Sequence, residues 1–75
     1  MNEAITMFST QNGRPLAFEV GGERYTVRVI VRAWVTTDAT RPTPVERRHF
    51  MVRCDDGTTF DDITQERGRW FRATR

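Results

Sequence analysis

His49 and Cys54 are the only histidine and the only cysteine in this 75-residue chain, so any nucleophile–base chemistry starts with them. A thiol or hydroxyl nucleophile needs a base within hydrogen-bond reach. The two residues stand five positions apart in a stretch, Val45 to Cys54, that alternates apolar and polar residues as a strand does, and an odd spacing sends them to opposite faces. His49 therefore reads as an exposed strand residue and not as half of a dyad. Ser9 has no histidine near it in sequence, so acyl transfer has no visible apparatus. The aspartates Asp55, Asp56, Asp61 and Asp62 form the other constellation, because hard cations take several carboxylates. They bracket a turn and a strand start, not an alternating twelve-residue loop between helices, which speaks against a calcium loop. One Cys and one His cannot supply the four ligands of a structural zinc. No enzyme activity, metal or cofactor is expected.

Arginine is the remaining chemistry. All 12 basic residues are arginine, against 10 acids. Arginine's planar fork matches phosphate and carboxylate and stacks on aromatic rings, although GC-rich coding produces the same bias. Distribution says more than the total. Residues 14–53 hold eight arginines against four acids, residues 54–66 five acids and no base, and residues 67–75 four arginines and no acid. The acidic run either leaves one basic surface free for a partner or pairs with the arginine tail across a hairpin, with Asp61 and Asp62 facing Arg69 or Arg72.

The elements that must position these groups follow from period-2 patterning. Tyr25, Val27, Val29, Val31, Ala33 and Val35 take every second place from Glu23 to Thr37, which predicts a half-buried strand with those residues inward. Arg28, Ile30, Arg32 and Trp34 take the other parity. About fifteen residues is long for a small sheet, so a bulge is expected near Arg32 to Trp34, swinging Trp34 towards the core. Upstream, Asn12-Gly13 signals a turn, Leu16, Phe18 and Val20 alternate, and Gly21-Gly22 suits a tight hairpin. Met1 to Gly13 reads as a loosely attached arm or an edge strand. Asp38 to Pro44 contains two prolines and is a loop. From Val45 to Cys54, Phe50, Val52 and Cys54 share one face and Arg47, His49, Met51 and Arg53 the other. Asp55-Asp56-Gly57 marks a hairpin with positive φ at Gly57, followed by a strand from Thr58 to Ile63, a turn over Thr64 to Gly68 and a last strand from Arg69 to Ala73.

This order predicts an all-β fold, a five-stranded antiparallel meander forming a small SH3-like barrel or rolled sheet over residues 14–75. A twisted open sheet that dimerises is the alternative. Tyr25, Val27, Val29, Phe50, Val52 and Trp70 form the expected core. A chain of this length supports one core and no deep pocket. The lone cysteine, the absence of a long apolar run and an N-terminus carrying Glu3 but no basic residue predict a cytoplasmic protein with no membrane contact.

The outward parity of the two long strands places Arg28, Arg32, Trp34, Arg47, His49 and Arg53 on one surface. Single-stranded nucleic acid uses such a mixture, arginine on phosphates and flat rings on bases. The same residues suit a protein interface, including a homodimer, in which Trp and Arg are the usual anchors. A third reading buries Ile30 and Trp34 under the N-terminal arm as a second core layer.

The spacing of Pro15 and Phe18, of Gly22, Tyr25, Val27, Val29 and Trp34, of Arg47-Arg48, Phe50 and Val52, and of Gly57, Phe60, Ile63, Gly68 and Trp70 resembles a small domain of unknown function. That domain is common in actinobacteria and encoded near, or fused to, Y-family translesion DNA polymerases of the mutagenesis cassette. The resemblance runs from Pro15 to about Trp70. It implies a DNA-repair context, with DNA or a repair polymerase as partner, and no catalytic residues. This chain departs from the pattern in lacking aromatics before Arg47 and in placing Arg72 where an apolar residue is usual.

Overall fold

The computed structural model describes residues 2–73; Met1, Thr74 and Arg75, the last of the C-terminal arginines, lie outside the described residues. Seven strands form one antiparallel meander: β1 (Asn2–Ala4), β2 (Thr6–Gln11), β3 (Arg14–Val20), β4 (Glu23–Asp38), β5 (Val45–Cys54), β6 (Thr59–Glu66) and β7 (Arg69–Ala73). Their order is β1-β7-β6-β5-β4-β3-β2, a curled half-barrel with no helix among the described residues. The expected count of five strands is thus corrected to seven. The two additional strands come from the N-terminal segment, which is not a loose arm: Asn2–Ala4 pairs with β7 and Thr6–Gln11 pairs with β3. Ile5, between them, donates its amide to the Trp70 carbonyl at 3.1 Å and buries its side chain in the core. Both ends of the curled sheet would otherwise present unpaired backbone, and one continuous segment satisfies both.

Tight turns set the meander. Gly21 and Gly22, at φ 61° and 80°, join β3 to β4 through a two-residue connection whose twist matches the strands. Asn12-Gly13 and Arg67-Gly68 have the same sign of φ at both places. β6 therefore runs on to Glu66, and the expected turn over Thr64 to Gly68 shrinks to Arg67-Gly68. Gly57 has φ 90°, as the sequence predicts, and its N–H donates to the Cys54 carbonyl at 3.0 Å.

The long strand is where parity reasoning fails. β4 spends two residues against one of β5 twice, between Val27 and Val29 and again between Ile30 and Arg32. Each extra residue flips the pleat, so Val27 faces inward opposite Cys54, Val29 outward opposite Arg53, and Ile30 inward opposite Val52. Val29, Val31 and Val35 are 46%, 49% and 55% exposed, which removes Val29 from the expected core. The bulges sit at Arg28 and Val31, the second adjoining the stretch where one was expected, but neither swings Trp34 towards the core, and it stays on the outer face opposite His49. Beyond them Ala33 and Val35 return to the side of Phe50 and Arg48, their partners on β5, yet both stay exposed.

That core consists of Ile5, Phe18, Val20, Phe50, Val52, Cys54, Phe60 and Ile63, with Tyr25, Val27, Ile30 and Trp70 packed on its border. Phe18, Tyr25 and Phe60 form an aromatic cluster, Phe60 meeting Phe18 edge-on at 5.2 Å and Tyr25 at 4.8 Å. Such contacts add about 0.5–1.5 kcal/mol each beyond the area they bury.

Candidate nucleic-acid interface on the outer face

Along β5, Arg47, His49, Met51 and Arg53 stand opposite in direction to buried Phe50, Val52 and Cys54, although Val45 on their own side is also buried, at 2%. β4 adds Arg32 beside Met51 and Trp34 beside His49. Four of the six expected site residues, Arg32, Trp34, Arg47 and His49, are therefore neighbours, and Arg53 continues the same face. Arg28 departs from it. As a bulge residue it lines an open cleft of about 760 Å³ between β3 and β4, with Arg14, Leu16 and Ile30 among its walls.

His49 is not an exposed strand residue; only 12% of its side chain meets solvent. Its ring lies flat against Trp34, with centroids 5.1 Å apart and planes 7° from parallel. Asp62 Oδ1 lies 3.0 Å from Nδ1 and Thr36 Oγ1 2.7 Å from Nε2. The Thr64 hydroxyl donates to Asp62 at 2.6 Å and lies 3.1 Å from Nδ1. A carboxylate only accepts, so Nδ1 carries a proton towards Asp62, and Nε2 shares a hydrogen bond with the Thr36 hydroxyl. The network ties β4, β5 and β6 across their outer face. It also corrects the expected pairing of the acidic run: Asp62 takes His49, Arg72 takes Glu3 at 3.8 Å, and Arg69 stands opposite Glu66 in the β6–β7 register.

Hydroxyl, imidazole and carboxylate in this order are the connectivity of a nucleophilic triad. Sequence reasoning missed it because Thr36, His49 and Asp62 lie on three strands, and only the register of β4 and β6 against β5 brings them together.

The arginines divide into two groups. Arg47 is engaged, its Nε 2.6 Å from Glu66 and its Nη2 4.0 Å from Asp38. Arg41, Arg48 and Arg72 also meet carboxylates. Among the described residues, Arg14, Arg24, Arg28, Arg32, Arg53, Arg67 and Arg69 take part in no ion pair. Arg32 lies over the Trp34 ring at 4.9 Å, giving the indole a cation beside it as well as the stacked imidazole.

Two carboxyls at turns are held below their usual range. Asp38 accepts from the Thr40 hydroxyl at 2.6 Å and from the Thr40 amide, and Asp56 accepts from the Thr58 amide. Burial, reinforced by Asp56 and Asp55, pushes the Cys54 thiol up to about 11. Among the described residues no group of three or more His, Cys, Asp or Glu is arranged to hold a metal ion. No family model, curated protein or solved structure matches this chain.

Proposed function

We propose that this protein is a non-enzymatic accessory that binds nucleic acid along a track from the β3–β4 cleft onto the outer face of β4 and β5, within a curled sheet of SH3-like kind. The observation that carries the reading is that four of the arginines without a carboxylate partner lie along one track: Arg14 and Arg28 in the β3–β4 cleft, Arg53 on the face beside it, and Arg32 with Trp34 further along. A guanidinium with no internal anion gains most from an external one, and a bound phosphate releases counterions from the nucleic acid. Trp34, held by His49, presents a fixed ring at the end of this track, suited to a base on single-stranded substrate. The Thr36–His49–Asp62 connection belongs to the scaffold in this reading, holding that ring in place. A DNA-repair setting beside a translesion polymerase is what the resemblance of the Pro15–Trp70 pattern implies, and the lone Cys54 suits a reducing cytoplasm.

The test is a fluorescence-anisotropy titration of labelled single-stranded DNA across salt concentrations. Binding is expected to weaken with a log–log slope of about −0.7 per phosphate contacted. Arg14, Arg28 and Arg53 changed together to serine abolish it. The charge-neutral pair Arg47→Gln with Glu66→Gln leaves it within about twofold, because that guanidinium is already spoken for. Unchanged binding in the triple variant, or a flat salt response, would sink the proposal.

A further inference from the structure

The free side of β4 is a backbone edge, separate from the outer face. β3 pairs with β4 only from Ala17↔Thr26 to Val20↔Glu23, so from Val27 to Asp38 the strand has β5 on one side and, among the described residues, no strand on the other. Natural edges of this length are blunted by lysine, proline or bulges. Here the bulges fall at Arg28 and Val31, and the run Arg32–Asp38 pairs regularly with β5 and contains neither Lys nor Pro. Within it Val35 is 55% accessible.

We infer that this edge pairs antiparallel with the same edge of a second copy, on a two-fold axis through Val35. The sequence is self-complementary in that register. Val35 meets Val35 of the second copy, Ala33 meets Thr37, Trp34 meets Thr36, and Arg32 meets Asp38. Facing pairs share one side of the sheet, since residues equally distant from the axis have the same parity. Arg32 has no carboxylate in its own chain among the described residues, whereas Asp38 keeps Oδ2 only loosely engaged, 3.5 Å from Arg41 and 4.0 Å from Arg47. Asp38 of each copy thus offers Arg32 of the other the carboxylate it lacks, at both ends of the paired run. A two-fold perpendicular to the sheet also lays both outer faces on one side of a continuous sheet, with Arg14, Arg28 and Arg53 of each copy left for phosphate.

The pairing is tested on the whole chain without nucleic acid, so its failure and that of the binding proposal are separate results. Light scattering after size exclusion is expected to give about twice 8.8 kDa at high protein concentration. Val35→Cys on the axis is expected to form a disulfide-linked dimer under mild oxidation, because facing antiparallel Cα atoms stand about 4.5–5.5 Å apart, within disulfide reach. Ala33→Cys, about 13 Å from its own symmetry mate at ~3.3 Å per residue, is expected to stay unlinked. Arg32→Asp weakens dimerisation at least tenfold, and adding Asp38→Arg in the same chain restores it. A mass of one chain at every concentration overturns the proposal. Linkage at Ala33 in place of Val35, or no rescue by the charge swap, overturns the register.

Discussion

At the scale of single residues, the decisive group is His49, whose ring joins three strands through Thr36, Asp62 and Thr64. Removing it leaves partly buried Asp62 with Thr64 alone and the Thr36 hydroxyl without its partner, so His49→Ala is expected to cost about 1–3 kcal/mol in a denaturant titration. Thr36→Val loses one exposed bond and is expected to cost less, about 0.5–1.5 kcal/mol. A neutral His49→Ala would show the network to be incidental. Cys54 is 1% exposed and its thiol is pushed up to about 11, so it should react with a thiol reagent at neutral pH only once the chain unfolds. Reaction at the rate of a free thiol in the native protein would contradict that burial.

At the scale of elements, the turns concentrate the strain. Arg67 holds φ at 50° without being glycine or asparagine, so Arg67→Asn is expected to raise stability by about 0.5–1 kcal/mol, read as an increase in the unfolding midpoint. Gly57→Val acts the other way. No atom lies within 4 Å of the added Cβ, so its cost of about 1–3 kcal/mol is purely the backbone at φ 90°. The N-terminal segment is as structural as any hairpin, and Ile5→Ala, which empties a core position, is expected to cost about 2–5 kcal/mol. A small loss there would mean that β1 and β2 close nothing.

For the whole molecule, charge governs both stability and partners. Asp38 and Asp56 have folded pKa values below the ordinary 3.8, because Thr40 and Thr58 donate to their ionised forms. A depressed carboxyl stabilises the fold at pH values above its unfolded pKa, and that contribution disappears as pH falls through the folded one. Thermal stability is therefore expected to hold from neutrality to about pH 5 and to fall below pH 4, with Asp56→Asn flattening the fall. The long dimension, 41 Å against 23 and 21 Å, suits the 16-residue β4, whose outer end carries both the Trp34 platform and the unpaired edge.

Alternation within Val45 to Cys54 determined by itself which way Arg47, His49, Met51 and Arg53 point, because β5 follows an unbroken pleat and local parity is then global parity. The turn residues Gly21-Gly22 and Gly57 likewise announced their hairpins through the φ they require. Tertiary structure decided the rest. Two bulges in β4 are set by how it must bend to pair with β5, and they moved Val29 out of the core and Ile30 to its border. The N-terminal strands exist because the curled sheet offers two free ends, a demand no local pattern encodes. The Thr36–His49–Asp62 contact needs three strands in register, and register is a property of the sheet, not of any one segment.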